Sequence, residues 1–292
     1  MNKKKRKSFR LTHLEIETRL ENKYAGRVQK LIKKQIRSFK SRLRKDGLQR
    51  ATVWLREQVY DPAISVQLQK LYMEAVKEFG LYQYKHANEL AAAPVKKESA
   101  AFGFSESWNF AIIDFLSQHL LERAVVPVTN TTRKLIMDVL EEGQQKGWSI
   151  ERIITELATV DEMSAFRARR IVRTELGIAS NFGCNLASQE VEFETDEEWI
   201  TAHDHRVRSS HAVMDGVVIK TGETFTVPIY KGKKSTGLTE QMTGPGDPTA
   251  SAGNIINCRC TRALVPRRDE NDELIIKPTK HLLTTTNKRY YV

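Results

Sequence analysis

The sequence has little of what marks membrane or secreted proteins. No apolar run approaches the roughly 18 residues that a membrane-spanning helix needs, so we expect no membrane contact. No apolar stretch or small-residue cleavage site follows the basic N-terminus, so we expect no secretion signal. The cysteines are Cys184, Cys258 and Cys260, and so low and odd a number excludes a disulfide framework and favours a reducing compartment.

The charge that is present lies mostly at one end of the chain. The 292 residues carry a net charge of +11, and residues 1–50 hold 18 Lys and Arg against four acidic residues. Residues 51–292 therefore sum to a net charge of −3. This asymmetry points to a polyanion or an acidic partner at the N-terminal end, and a solvated, Lys-rich helix face explains the charge equally well.

Apolar periodicity predicts an α+β protein with a long, mostly helical N-terminal part and a small, loop-rich α+β C-terminal domain. We interpret residues 1–13 as a disordered basic tail and residues 14–128 as a helical region that opens with a basic arm helix. Residues 129–190 continue as helices, and residues 191–268 form the small His- and Cys-containing part, with an irregular loop over 231–254. Residues 269–292 form a polar tail.

The arm helix has a narrow apolar seam and a very basic back. We expect it to stop near Asp46-Gly47, and Asp61-Pro62 and Ser149 have the chemistry of later helix starts. The seam would pack on the body or on a partner, and the basic back could lie along phosphates. The residues that we expect to contact nucleic acid are Lys3, Lys4, Lys5, Arg6, Lys7, Lys30, Lys33, Lys34, Arg37 and Lys40.

Three motifs in the C-terminal region identify the chain better than its composition does. The first runs from Trp199 through Thr201 to His211, the second is residues 244–248, and the third is residues 254–260. An earlier helix carries Arg167-Ala168, Arg173-Thr174-Glu175 and Asn181, and we interpret Arg173 and Glu175 as part of a helix salt-bridge face. Motif residues expected to shape the domain are Trp199, Asp204, Arg206, Arg208, His211, Asn257, Cys258 and Cys260.

In this order the motifs make residues 129–266 resemble the phage Mu F-like head-morphogenesis family. The resemblance implies a minor capsid protein of a tailed phage that lies inside the virion near the portal, and in the host cytoplasm during assembly. It would aid procapsid assembly and genome packaging or delivery. Its partners would be the portal protein, other capsid or scaffold proteins, and double-stranded DNA bound without sequence preference. On this interpretation the chain is not an enzyme.

The histidines and cysteines allow a second interpretation of the C-terminal motifs. Thiolates and imidazoles suit Zn²⁺, and four ligands could come from His211, Cys258 and Cys260 together with His205, His203 or Asp204. The Cys-x-Cys spacing departs from the usual pattern of a zinc site, so a packed strand or a hydrogen-bond network of Asp204, Arg206 and His211 is the alternative. If both sulfurs lie on one strand, they share a face.

Two other functions stay open from the residues alone. The His, Asp and Cys cluster could form a metal-dependent nuclease or hydrolase site, with Asp204 as general base. The apolar seam of residues 14–46 could instead form a basic coiled-coil adaptor, although it offers few strong heptad positions.

Overall fold

A set of long helices leads into a short-stranded C-terminal region in this computed structural model, which describes residues 1–58, 60–93 and 105–278. Its helices are α1 (Lys3–Glu57), α2 (Pro62–Ala91), α3 (Ser105–His119), α4 (Val126–Gln145), α5 (Ile150–Glu162), α6 (Ser164–Glu190), α7 (Ser209–Ala212) and α8 (Ala252–Ile255). A π-helical segment, Leu120–Val125, joins α3 to α4. Its strands are β1 (Thr195–Ile200), β2 (Val218–Lys220), β3 (Phe225–Lys231), β4 (Lys234–Met242) and β5 (Thr261–Pro266). The order confirms the expected α+β class.

Two helices start where the sequence predicted. The Asp61 carboxylate accepts hydrogen bonds from the backbone N–H groups of Ala63 and Ile64 at 2.9 and 3.3 Å, with Pro62 in the first turn. The Ser149 hydroxyl accepts from the Arg152 N–H at 3.2 Å. These side chains satisfy donors that the first turn of a helix leaves without intrahelical partners.

Helix α1 corrects one prediction about the N-terminal region and confirms another. Residues 3–13 are helical rather than disordered, because the Met1 amino group lies 2.9 Å from a Glu198 oxygen and Phe9 is buried beside Ile200. The predicted stop near Asp46-Gly47 is present as a break in the helix. Gly47 interrupts it with φ 74° and ψ 174°, and the chain then returns to helix as far as Glu57.

The apolar seam of α1 is buried within the chain. Its residues from Leu20 to Leu43 pack into one core with α2, α5 and α6. A coiled-coil adaptor would need this seam to be exposed to a partner helix, and it is not. Helices α2 and α6 approach closely at Gly80 and Gly183. A Cβ on Gly183 would lie 2.6 Å from the Val76 carbonyl oxygen, which explains the absence of a side chain there.

The C-terminal region contains two small antiparallel sheets. One has the strand order β2-β1-β5, and the other pairs β3 with β4. Strand β4 lies inside the predicted irregular loop, which corrects that prediction. Of its residues only Met242 is buried, so the sequence shows no apolar alternation for this strand. Phe225 and Val227 of β3 are buried with Met242 against Trp199.

Two predicted segment limits also differ from the structure. The limit between residues 128 and 129 falls inside α4, because the π-helical segment leads directly into that helix. Part of the predicted polar tail is paired with the body. Leu274 forms a bridge with Arg268, and Ile276 forms one with Phe193, while residues 279–292 lie outside the described residues. None of the described helices combines the length and apolar composition that crossing a membrane requires.

Candidate functional site

Three of the four predicted metal ligands lie together and are buried. The Nδ1 atom of His211 is 3.4 Å from the Cys258 sulfur and 3.6 Å from the Cys260 sulfur. The ligand atoms of all three side chains lie within 4.8 Å of one another. The fourth candidate, His205, is exposed and does not join this group, which we call the His/Cys cluster.

The two cysteines directly follow a turn at residues 256–257 and lie in neither helix nor strand. We call residues 256–260 the cysteine turn. Both cysteines precede β5, so strand alternation does not explain their common direction. The preceding Asn257 has φ 59°, a left-handed conformation that Asn adopts more readily than most residues. Its N–H donates to the Thr174 hydroxyl at 2.9 Å, and its side-chain oxygen accepts from Arg173 at 2.9 Å. Asn257 therefore ties the cysteine turn to α6.

Apolar and aromatic side chains surround the His/Cys cluster. The Trp199 ring lies edge-on to His211, with centroids 5.2 Å apart and planes at 74°. Hydrogen bonds from Cys260 and His211 hold the pKa of Cys258 well below its usual range, while the bond with Cys258 and burial raise the pKa of Cys260. The two sulfurs thus favour one thiolate on Cys258. The third cysteine, Cys184, is buried in α6, where burial raises its pKa to about 12.

The remaining motif residues brace the loops around this cluster. Asp204 pairs with Arg259 through two hydrogen bonds. It also contacts Arg206, the partner expected from the sequence: the Arg206 backbone N–H donates to Asp204 at 2.9 Å, and the exposed Arg206 guanidinium lies 3.6 Å away. The bond from Arg259 holds the pKa of Asp204 well below its usual range. Arg208 donates to the Ile256 carbonyl oxygen. Asp204 and His211 therefore belong to separate interactions, which corrects the predicted network of Asp204, Arg206 and His211.

The motif on α6 forms contacts between elements, which corrects the predicted salt-bridge face within one helix. Arg173 donates to both carboxylate oxygens of Glu21 on α1, each at 2.9 Å. Glu175 accepts from the Tyr72 hydroxyl of α2 at 2.6 Å. Asn181 accepts from Arg262 of β5 at 2.7 Å. These residues fasten α6 to the N-terminal helices and to the sheet.

A buried polar stripe on α1 was missed from the sequence. It comprises Arg10, His13, Glu17 and Glu21, all buried where α1 meets α6 and the cysteine turn. Arg10 donates to the Arg259 carbonyl oxygen at 2.9 Å, and the His13 ring is 2.8 Å from the Ser180 hydroxyl. Burial raises the pKa of Glu17 to about 7. The signal was present in the helical spacing, because these positions extend the apolar seam by steps of three and four.

The ten predicted nucleic-acid contacts fall into two groups. Arg6 is half-buried, and its guanidinium lies 2.8 Å from Glu198 and 2.9 Å from Asp215, so its charge is used within the fold. Lys33 lies 3.7 Å from Asp161, and Lys40 is half-buried. The exposed members are Lys3, Lys4, Lys5, Lys7, Lys30, Lys34 and Arg37.

Comparison with known proteins supports the resemblance in the region that carries these motifs. Residues 134–263 match the model of a family described as Phage Mu protein F like protein. The Uncharacterized protein YqbB of Bacillus subtilis (strain 168) is 27% identical over 131 residues, which cover 44% of this chain and 40% of YqbB. The matched segment therefore spans less than half of that relative. No solved structure matches the chain at a significant level. The family match suggests a phage head-morphogenesis protein and hence a virion component.

Proposed function

We propose, from the match of residues 134–263 to the Phage Mu protein F-like family, that the chain is a minor head protein that contacts packaged double-stranded DNA through α1. It would lie near the portal inside the capsid, with the portal protein and other capsid or scaffold proteins as neighbours. Its role would be to aid procapsid assembly and genome packaging or delivery.

The single observation that carries the DNA contact is the one-sided charge of α1. Residues 30–50 contain nine Lys and Arg and one acidic residue, Asp46. The opposite side of the helix is buried, so these Lys and Arg side chains are confined to the solvent side. Lys30, Lys34 and Arg37 are exposed and form no ion pair within the described residues.

The spacing of this basic side suits a row of phosphates. From Lys30 to Arg44 the helix rises about 21 Å at about 1.5 Å per residue. That length corresponds to about six phosphates along one DNA strand. Contacts by Lys and Arg to phosphates carry no sequence information, so we expect binding without sequence preference that weakens steeply with salt.

The test is a charge-removal variant, because deleting residues 1–50 would remove buried core residues of α1 as well as its charge. Lys30, Lys34 and Arg37 are changed together to Gln, and binding to random-sequence duplex DNA is measured by fluorescence anisotropy over a salt series. Loss of three phosphate contacts would make the slope of log K against log salt shallower by about 2.7.

A matched control removes the same charge elsewhere. Lys231, Lys233 and Lys234 are exposed at the turn between β3 and β4, and their change to Gln should leave the slope unaltered. Equal effects of the two triple variants would reject α1 as the contact. If the native protein does not bind DNA at all, the basic side instead faces an acidic protein surface, and the portal protein is the partner to test.

The same mixtures test the metal-dependent nuclease alternative. The predicted general base, Asp204, is engaged by Arg259 and is not part of the His/Cys cluster. We therefore expect the DNA to remain intact after incubation with added Mg²⁺, Mn²⁺ or Zn²⁺. Cleavage that Asp204→Ala abolishes would transfer the assignment to the nuclease alternative.

A further inference from the structure

The His/Cys cluster has the dimensions of a tetrahedral metal site. Zn–S bonds of about 2.3 Å and Zn–N bonds of about 2.0–2.1 Å place the nitrogen and sulfur atoms of a tetrahedral site about 3.6 Å apart. The two distances from His211 Nδ1 to the sulfurs of Cys258 and Cys260 are 3.4 and 3.6 Å. Both N–S distances therefore fit such a tetrahedron, and the two sulfurs lie within 4.8 Å of each other.

Charge and burial favour a divalent ion at this position. His211 is 0% exposed, and Cys258 and Cys260 are 5% and 8% exposed. Trp199 and other apolar side chains surround these ligands, so a buried ion here must be compensated by the charge of its ligands. One divalent cation with two thiolates and a neutral imidazole has no net charge, which meets that requirement.

We propose that His211, Cys258 and Cys260 bind one Zn²⁺ ion, with a water molecule as the fourth ligand. Thiolate and imidazole ligands select Zn²⁺ over the hard ions Mg²⁺ and Ca²⁺, which take oxygen ligands. Within the described residues no further His, Cys, Asp or Glu joins the cluster, so the fourth position falls to an exogenous ligand.

The ion would link two short segments that are far apart in the sequence. His211 lies on the four-residue helix α7, and the cysteines lie between α8 and β5. The Ser210 hydroxyl, 3.4 Å from the Asn254 side-chain oxygen, is a weak direct link between the same segments. Zn²⁺ would add three bonds across this junction, next to the Asn257 turn that anchors the cysteines to α6. This link would not depend on the proposed DNA contact.

The first test measures metal content in the full-length protein. The chain is purified in reducing buffer without chelator, and zinc is quantified by plasma emission spectroscopy. We expect about one zinc per chain, and its loss in Cys258→Ser and in Cys260→Ser. Cys184→Ser is the matched control, because this cysteine is equally buried but lies in α6 away from the cluster. It should keep the zinc of the native protein.

A second measurement does not depend on whether the serine variants fold. The native protein is stripped of metal with a chelator and titrated with Co²⁺. Cobalt at the site should give a thiolate-to-metal charge-transfer band and the visible absorption of a tetrahedral complex, saturating at one ion per chain. Native protein that contains no zinc and gives no charge-transfer band with Co²⁺ would overturn the site.

Added imidazole then tests the fourth position. If water occupies it, imidazole should replace the water and shift the visible absorption of the cobalt form. An unchanged spectrum at high imidazole would mean that a protein side chain is the fourth ligand, and the assignment of water would be wrong.

Discussion

Replacing Arg262 by Ala should strongly destabilise the protein. Arg262 is 3% exposed on β5, and its guanidinium pairs with the buried carboxylate of Glu197 on β1. The same group donates to the Thr243 carbonyl oxygen at 2.7 Å and to the Asn181 side-chain and carbonyl oxygens at 2.7 and 3.0 Å. One side chain thus joins the sheet, α6 and the loop that follows β4.

The size of the expected loss in stability follows from the buried charge that the truncation leaves unpaired. Glu197 is 1% exposed, so Arg262→Ala leaves a buried carboxylate without its cation. Breaking a buried ion pair in this way costs about 3–5 kcal/mol, against a total stability of about 5–15 kcal/mol for a typical protein. Burial already raises the pKa of Glu197, and Arg262 offsets part of that rise. The variant should therefore lose more stability at pH 8 than at pH 5, where the carboxyl group can take up a proton.

Urea unfolding followed by circular dichroism measures the loss. With a slope of about 3 kcal/mol per molar urea, the midpoint should fall by about 1 M or more. The exposed Arg268, whose ion pair with Asp272 lies at the surface, supplies the control. Arg268→Ala should change the free energy of unfolding by no more than about 1 kcal/mol.

A double variant separates the loss of the pair from the loss of packing. Replacing Arg262 by Met and Glu197 by Leu removes both charges while keeping apolar volume, and such replacements are often neutral. We expect the double variant to recover most of the stability that Arg262→Ala loses. If Arg262→Ala costs less than about 1 kcal/mol, or if the double variant is no more stable than the single one, the charge reasoning is wrong.

Two further predictions concern α1 and α6. Glu17, with a pKa raised to about 7 by burial, binds its proton more tightly in the folded chain, so its contribution to stability is present below its unfolded pKa of 4.5 and is lost as pH rises through 7. This loss is on the order of 3 kcal/mol in the free energy of unfolding, and Glu17→Gln should abolish it. Urea unfolding of the native protein and of the variant at pH 5 and pH 8 measures the difference. The same pH dependence of stability in both proteins would contradict the prediction. Gly183→Ala should cost about 1–3 kcal/mol, because its Cβ would lie 2.6 Å from the Val76 carbonyl oxygen. In the same helix Gly177→Ala should raise the melting temperature, since its Cβ meets nothing within 4 Å and Ala favours helix. Equal changes in melting temperature for Gly183→Ala and Gly177→Ala would refute the packing explanation.

Features with local causes were predictable from the sequence. Asp61 and Ser149 cap their helices through hydrogen bonds to residues two or three positions later, so a short stretch of sequence contains the whole interaction. The apolar seam of α1 is visible for the same reason, because its period is a property of the helix alone. The grouping of His211, Cys258 and Cys260 was predicted from ligand chemistry, although the turn at Asn257 that causes it was not.

Features that depend on distant partners were not predictable in this way. The composition of residues 1–13 indicates disorder, yet Met1 and Arg6 form ion pairs with Glu198 and Asp215, which lie about 200 residues later in the chain. Strand β4 has a mostly polar, exposed face, so its pairing with β3 leaves almost no trace in its hydrophobic pattern. His205 sits in the motif beside His211, but the loop turns its side chain to solvent.

The structural role of α1 and its proposed binding role belong to different positions along the helix. Its buried polar stripe, from Arg10 to Glu21, lies against α6 and the cysteine turn, and the buried positions from Tyr24 to Leu43 are apolar. The basic stretch proposed to contact DNA, residues 30–50, is therefore displaced by several helical turns from the contacts with the cysteine turn. Charge removal at Lys30, Lys34 and Arg37 should consequently leave zinc content unchanged, whereas disruption of the stripe by Glu21→Ala should affect stability without reducing the salt slope. A coupled loss of zinc and DNA binding in the Lys30, Lys34 and Arg37 variant would show that the two regions act as one site.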